Sequence, residues 1–242
     1  MGYTLAQSIG WSQSLNFNLD PTVYAGYEPA MTSANTVVAI ITSAPFVWPW
    51  NRNLIEESIS QSLGQDYTVD VTDFGFLEKC SLDDGGSPPQ IWELENVHNT
   101  LALGPTSQIS RPSTVATQIV TPASVAFRFG TIPDEDYTAT FIYQEAPVFF
   151  TSITQDWNTQ CGIPYGFIDI FNALFLSEMY QQGDDAQRAA QYRQRGMAAL
   201  VTKAVGLDQM TKNMILEQWS TDEYQRLFAQ ARAQQYQQAR IV

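Results

Sequence analysis

Charge is scarce in this sequence. Asp, Glu, Lys and Arg make up 15% of its 242 residues, well below the usual quarter or so, and only 12 of them are basic. The net charge of −13 that results disfavours generic binding to nucleic-acid phosphates. Histidine occurs once, at His98, so a Ser-His-Asp or Cys-His mechanism would have to use it. Its setting, Glu95-Asn-Val-His-Asn99, has no nucleophile motif beside it and reads as structural. The two cysteines, Cys80 and Cys161, have no metal-type spacing; two buried free thiols are expected rather than a disulfide. No run approaches the ~18 apolar residues that span a bilayer. Met1-Gly-Tyr-Thr-Leu5 lacks the basic start and apolar core of a signal peptide, so a soluble chain made in the cytoplasm is expected.

Chemical motifs are equally sparse. There is no phosphate-cradling glycine loop and no dinucleotide fingerprint. Asp83-Asp84-Gly85-Gly86 begins like a calcium loop but lacks the later ligands. The carboxylate pairs Glu56-Glu57 and Asp134-Glu-Asp136 fall in turns and strand ends, where solvation explains them better than glycosidase chemistry. No catalytic residue, metal ligand or cofactor is assigned.

What is present is a substantial core and an uneven charge distribution. Hydrophobic residues at 44% and aromatics at 12% are enough to build one large domain or two small ones. A surface short of charge but rich in Gln, Asn, Ser and Thr suits burial between subunits. Residues 1–182 hold four basic and nineteen acidic groups; residues 183–242 hold eight and six. An acidic body followed by a slightly basic tail points to two surfaces with different partners.

The chain turns on the stretch from Tyr137 to Asp185: before it the hydrophobic period is near two, after it near 3.6. Residues 4–15 carry a weak helical pattern. Pro29 and Pro45 bracket a helix of about three turns through Thr36-Val-Val-Ala-Ile-Ile41, capped by Thr32 or Ser33. The Trp48-Pro-Trp50 loop should anchor on a core. Seven short strands follow, Leu54–Ser58, Tyr67–Val71, Phe76–Leu82, Ile91–Val97, Val115–Ile119, Val125–Phe129 and Tyr137–Tyr143, with Asp83–Pro89 as an exposed hairpin tip. After Pro164 comes the most apolar helix, to about Gln182. Gly183 is expected to be its left-handed exit, and Asp184 the cap of an antiparallel partner over 185–205. Asp208 can cap a third helix of about ten residues, and the capping box Ser220-Thr-Asp-Glu223 opens a last helix to near Arg240. That last helix has little apolar surface and suits docking on another subunit.

One set of motifs carries a resemblance. These are Trp48-Pro-Trp-Asn-Arg52, Gln65-Asp-Tyr67, Asp73-Phe-Gly75 ending in Glu78, Arg111-Pro112, Pro133-Asp134 before Tyr137, and Tyr143-Gln-Glu-Ala-Pro147. Then come Trp157, Ile163-Pro164, and a helix pair joined at Gly183-Asp184 with Ala189-Ala190 and Tyr192. Their order over residues 30–206 resembles the head-to-tail adaptor (neck or connector) proteins of tailed phages. The resemblance implies an α+β fold, with an antiparallel β-sandwich or barrel inserted in a helical-bundle core; it does not extend to residues 1–29 and 207–242, and the long C-terminal helix rests on the capping box. The corresponding divisions are an N-terminal segment and first bundle helix (1–45), a β-rich insertion (46–150), a helical hairpin (151–206) and a C-terminal arm (207–242).

The function implied is that of a non-enzymatic virion protein of the neck. It would form a ring, often twelve-fold, below the portal, extend the DNA channel and join capsid to tail. Expected partners are the portal protein, tail or neck proteins and further copies of the chain, with DNA passing through without sequence-specific binding and no membrane. The C-terminal arm would grip the portal or a neighbouring subunit through Tyr224, Leu227, Phe228, Arg232, Tyr236 and Arg240. Two other readings stand beside this one. The first is a β-sandwich module binding glycan or protein, in a virion tail or a non-viral assembly, for which exposed tryptophans would serve. The second is a hydrolase working through carboxylates such as Glu56 or Asp136.

Overall fold

A computed structural model describes residues 3–15, 28–97, 103–183, 185–204 and 206–218. The fold is mixed α+β and divides into two compact units. One draws on both ends of the chain, up to Phe46 and again from Pro147; the other is the continuous stretch Val47–Ala146.

The continuous unit is a seven-stranded sheet. Its strands are β1 Arg52–Ile59, β2 Asp66–Asp70, β3 Phe74–Asp83, β4 Ile91–Asn96, β5 Thr114–Val120, β6 Ser124–Phe129 and β7 Tyr137–Glu145, in the spatial order β1-β7-β3-β4-β5-β6-β2. All seven lie where the alternating pattern places them; β1, β3, β5, β6 and β7 run longer than expected, β2 is shifted by one residue and β4 ends one residue sooner. Every pairing is antiparallel except β4 with β5, which is parallel, so the expectation of a wholly antiparallel sheet is corrected there. The first four residues of β4 pair with β3 and its last two pair with β5, so the sheet bends at this strand.

The bend rolls the sheet into a nearly closed barrel. Phe127 of β6 and Phe141 of β7, on strands that are not neighbours, stack face to face at 4.2 Å. Phe74, Phe129, Tyr67 and Tyr143 pack around this pair in edge-on or tilted contacts. In β6, every second residue from Val125 to Phe129 is buried. In β7, Tyr137, Ala139, Phe141 and Tyr143 point inward in the same way. The two edge strands, β1 and β2, are tied at one end by a side chain. The Tyr67 hydroxyl donates to the Ser60 carbonyl at 2.7 Å and accepts from the Ser60 amide at 3.0 Å. This satisfies backbone groups that an open sheet edge would leave unpaired.

The discontinuous unit is helical: α1 Leu5–Leu15, α2 Glu28–Thr42, α3 Trp157–Cys161, α4 Ile168–Gln182, α5 Ala186–Lys203 and α6 Gln209–Gln218. A 3-10 turn, Tyr165–Phe167, leads into α4. Ten of the fifteen residues of α4 are buried, including the unbroken run from Ile170 to Ser177, so it forms the core of this unit. Its two buried polar side chains are satisfied: Asn172 accepts from Ser8 of α1 at 2.8 Å, and Ser177 donates to the Ala189 carbonyl of α5 at 2.8 Å. Helix α5 packs closely on α4 at Gly196, where a Cβ would fall 2.6 Å from Leu174. The N-terminal segment is stitched to residues 153–157 by backbone bonds from Leu5 and Ala6 to Gln155 and Ile153 and from Trp157 to Tyr3. Asn35 of α2 exchanges two hydrogen bonds with the Phe150 backbone.

Four local expectations change. Helix α2 already runs from Glu28, so Thr32 and Ser33 lie inside it and do not cap it. Gly183 ends α4 with φ −83°, not in the left-handed region. The cap of α5 is Asp185, which accepts from the Arg188 amide; Asp184 lies outside the described residues. The short helix α3, capped by Asp156 through the Thr159 amide, was not apparent in the hydrophobic pattern. Asp208 does cap α6, accepting from Thr211 at 2.8 Å. The capping box from Ser220 and the long C-terminal helix lie outside the described residues.

Two glycines separate packing constraint from helix propensity. A Cβ on Gly75 would meet the Gln144 and Glu145 carbonyl oxygens at 2.7 and 2.9 Å, so β3 and β7 can approach only with glycine there. Gly75→Ala should destabilise the protein by about 1–3 kcal/mol. Gly10 sits exposed inside α1 with open space around it, and Gly10→Ala should stabilise by roughly 0.5–1 kcal/mol. Urea unfolding of the two variants beside the parent checks both signs.

Candidate functional site

Three of the motifs behind the resemblance converge at one end of the barrel, where the chain enters and leaves this unit. Trp48 is buried and stacks on Trp50 at 6.1 Å, so the Trp-Pro-Trp loop is anchored as expected. The fully buried Gln144 accepts from the Trp48 amide at 2.9 Å and donates to Glu78 at 3.0 Å. Glu78 receives Arg52 in a two-pronged ion pair, with Nε at 2.8 Å. Asn51 donates to the Glu145 carbonyl at 3.0 Å, and the Ala146 amide to the Asp73 carbonyl at 2.6 Å. Three motifs distant in sequence, Trp48–Arg52, Asp73–Glu78 and Tyr143–Ala146, thus form one polar clamp.

Two carboxylates complete it. Asp73 accepts from the Tyr143 hydroxyl at 2.8 Å and from Asn53 at 3.3 Å; the same Asn53 amide reaches Glu145 at 3.2 Å. Burial, and then the Asp73 charge, push the Glu145 carboxyl above its ordinary range. Burial and the Asp73 contact likewise hold the Tyr143 phenol protonated.

The other motifs also serve the framework. Buried Gln65 donates to the Phe129 and Gly104 carbonyls and accepts from the Thr106 amide, holding a connection against the barrel. Asp66 pairs with Arg128 at 2.6 and 2.8 Å. Arg111 lies over Trp92, 4.4 Å from the ring centre, and Asp134 and Glu135 accept from the Tyr137 hydroxyl. Trp157 is buried against Phe171, and Ala189 and Ala190 are buried where α5 faces α4. Cys80 and Cys161 are buried free thiols, and burial pushes both up to about 12, which keeps them protonated and poorly nucleophilic.

At the opposite end of β1, β3 and β7 lies a groove of about 420 Å³ whose lining includes Leu63, Asp83, Asp84 and Asp136. Asp84 accepts from the Gln90 and Gly86 amides, which hold its carboxyl below the usual range. All four cations of the barrel unit are engaged: Arg52 with Glu78, Lys79 with Glu93, Arg128 with Asp66, and Arg111 on Trp92. Glu56 and Glu57 are exposed on the edge strand β1. Asp136 lines this groove and neither glutamate does.

On the helical unit a second groove, of about 350 Å³, is lined by Tyr180, Arg188, Gln191, Tyr192 and Arg195. Tyr180 and Tyr192 stack at 5.5 Å with rings 11° apart, and the Arg188 guanidinium lies 5.6 Å from the Tyr180 ring. The sequence reading missed this groove, although Arg188, Tyr192 and Arg195 recur at the four- and three-residue spacing of one helix face. Arg193 points the other way and is buried in an ion pair with Glu178.

The six residues expected to bind a partner, Tyr224, Leu227, Phe228, Arg232, Tyr236 and Arg240, lie outside the described residues, as does His98. Among the described residues no group of three His, Cys, Asp or Glu side chains is placed to hold a metal ion, and no helix is long and apolar enough to cross a membrane. Trp48, one of the tryptophans a sugar-binding face would use, is buried rather than exposed. Compared with known families and with characterised proteins, the chain matches no family model and no individual relative.

The clamp makes a pH prediction. A carboxyl whose pKa is raised on folding favours the folded state while protonated, and that contribution is lost as pH rises from its ordinary value through the raised one. Glu145→Gln keeps an oxygen for Asn53 and removes the charge facing Asp73. The variant should therefore be more stable than the parent at pH 7 and no more stable at acidic pH. Urea midpoints across that range measure the difference; a variant less stable at neutral pH would contradict the assignment.

Proposed function

We propose that this protein is a head-to-tail adaptor of a tailed phage, a non-enzymatic virion protein that forms a ring below the portal and continues the DNA channel toward the tail. One observation carries the reading: a helical unit built from both ends of the chain, with a barrel unit, Val47–Ala146, inserted between them. That is the organisation the adaptor resemblance implies. The clamp adds support, because three of the motifs behind the resemblance meet where the inserted chain begins and ends.

Composition fits such a role. The barrel unit has fourteen acidic and four basic residues, and each basic one is engaged within the unit. An acidic channel wall repels DNA phosphates and lets the duplex slide past. In this reading the protein is made in the host cytoplasm and ends in the virion neck, touching portal, neighbouring copies and tail or neck proteins. The bundle core, the ring and the gripping role of residues 221–242 all belong to the proposal.

Deleting residues 221–242 should leave a soluble, folded monomer that no longer attaches to portal-bearing capsids. Co-sedimentation with such capsids reads the loss, and normal attachment by the truncated chain would remove the arm. Imaging the full chain with purified portal tests the wider reading, which requires a ring around a central channel.

A further inference from the structure

The tyrosine–arginine groove lies over a small core cluster of the helical unit, where buried Leu176, Tyr180 and Ala189 pack with partly buried Tyr192. Tyr180 forms its buried floor and Tyr192 a half-exposed wall. Arg188 and Arg195 are both exposed, on the same side of α5. They are seven residues apart, two helical turns, so their backbones stand about 10 Å apart. Arg188 meets Asp185 only at 3.5 Å in an exposed pair, which solvent weakens and a better-placed carboxylate can displace. Arg195 makes no ion pair among the described residues. Gln191, exposed between them, offers an amide that can donate or accept.

We propose that this groove docks an acidic helical segment of a partner protein, with two carboxylates one α5 repeat apart received by Arg188 and Arg195 and the apolar part of the segment resting on Tyr192. Guanidinium groups suit this role because they take carboxylates in two-pronged geometry and sit comfortably on aromatic rings. A helix carrying acids at i and i+7 repeats the arginine spacing of about 10 Å. Charge favours such an occupant over nucleic acid. The whole chain is at −13, which opposes a long polyanion, whereas two local carboxylates match two local cations. Stacking argues the same way: Tyr180 is already stacked on Tyr192 and approached by Arg188, so it offers no open face to a base. The site does not require the adaptor reading; a chain that never forms a ring would still bind.

The test uses the full chain and two labelled, alanine-based helical peptides of roughly 16 residues. One carries Glu at two positions seven apart, the other Gln at both. Fluorescence anisotropy at low ionic strength should show saturable binding of the Glu peptide. Loss of two exposed ion pairs should weaken binding about tenfold, both for the Gln peptide and for the Arg188→Gln/Arg195→Gln variant. Higher salt should weaken binding of the Glu peptide alone. Circular dichroism checks that the variant is folded, and the Gln peptide tests the same pairs on unaltered protein. Equal binding of the two peptides, undiminished binding by the folded variant, or no binding at millimolar peptide would each overturn the proposal. So would a duplex oligonucleotide that binds more tightly than the Glu peptide and loses affinity in the variant, since the groove would then be a phosphate site. Failure of ring assembly with portal would leave this result untouched, so the two proposals fail separately.

Discussion

Gln144 carries the constraint on which the barrel unit depends. It is fully buried, and a buried amide must find partners for both its oxygen and its nitrogen. It does so by joining the backbone of the incoming chain at Trp48 to Glu78 on β3. Glu78 in turn fixes Arg52 at the head of β1. One side chain on the last strand therefore positions the first strand, and Asn51 repeats the tie by reaching the Glu145 carbonyl. Losing one partner would leave a polar group buried without a bond, costing about 1–3 kcal/mol, so the network holds the two ends of the unit together as a set.

The barrel needs this because its sheet closes incompletely. β1 and β2 are not paired along their length, and the hydroxyl of Tyr67 bridges them at one end only. The aromatic stack of Phe127 on Phe141 holds the opposing faces together but does not fix register, since apolar contact is not directional. Register comes from directional contacts: the clamp at one end, Tyr67 at the edge, and the close approach at Gly75 that admits no side chain. The helical unit solves a simpler problem. α4 is buried on all sides from Ile170 to Ser177, so α1, α2 and α5 can each bury a face against it, with Ser8–Asn172 and Ser177–Ala189 as the polar contacts that fix alignment.

The strands and the larger helices were legible because each buries one regular set of positions. Tyr137 to Tyr143 alternates, and Phe167 to Met179 carries a broad apolar stripe at helical spacing; either pattern has one structural answer. Turn chemistry was read less well. Asp184 and Asp185 are adjacent and chemically alike, and which one caps α5 depends on where α4 stops, a matter of tertiary packing. The parallel contact of β4 with β5 spans only two residue pairs and leaves no mark on the alternation. The short α3 was missed for a related reason: its five residues are held by the Asp156 cap and by backbone bonds to the N-terminal segment, not by a periodic apolar stripe.

Function was much less legible, for a physical reason that the motifs make plain. Tryptophan, asparagine, arginine and glutamate in Trp48–Arg52 and Asp73–Glu78 look like chemistry when read in sequence, yet the fold uses them to satisfy one another. Polar residues tied into such a network have little bonding capacity left for a ligand. The informative polar residues are those the fold leaves over. In the barrel unit every cation is engaged, so its surplus is negative. On α5, Arg193 is buried against Glu178 while Arg188 and Arg195 stay outside, so the surplus there is positive and sits beside tyrosine. Two surfaces of opposite sign on one chain favour contacts between unlike faces over contacts between like ones.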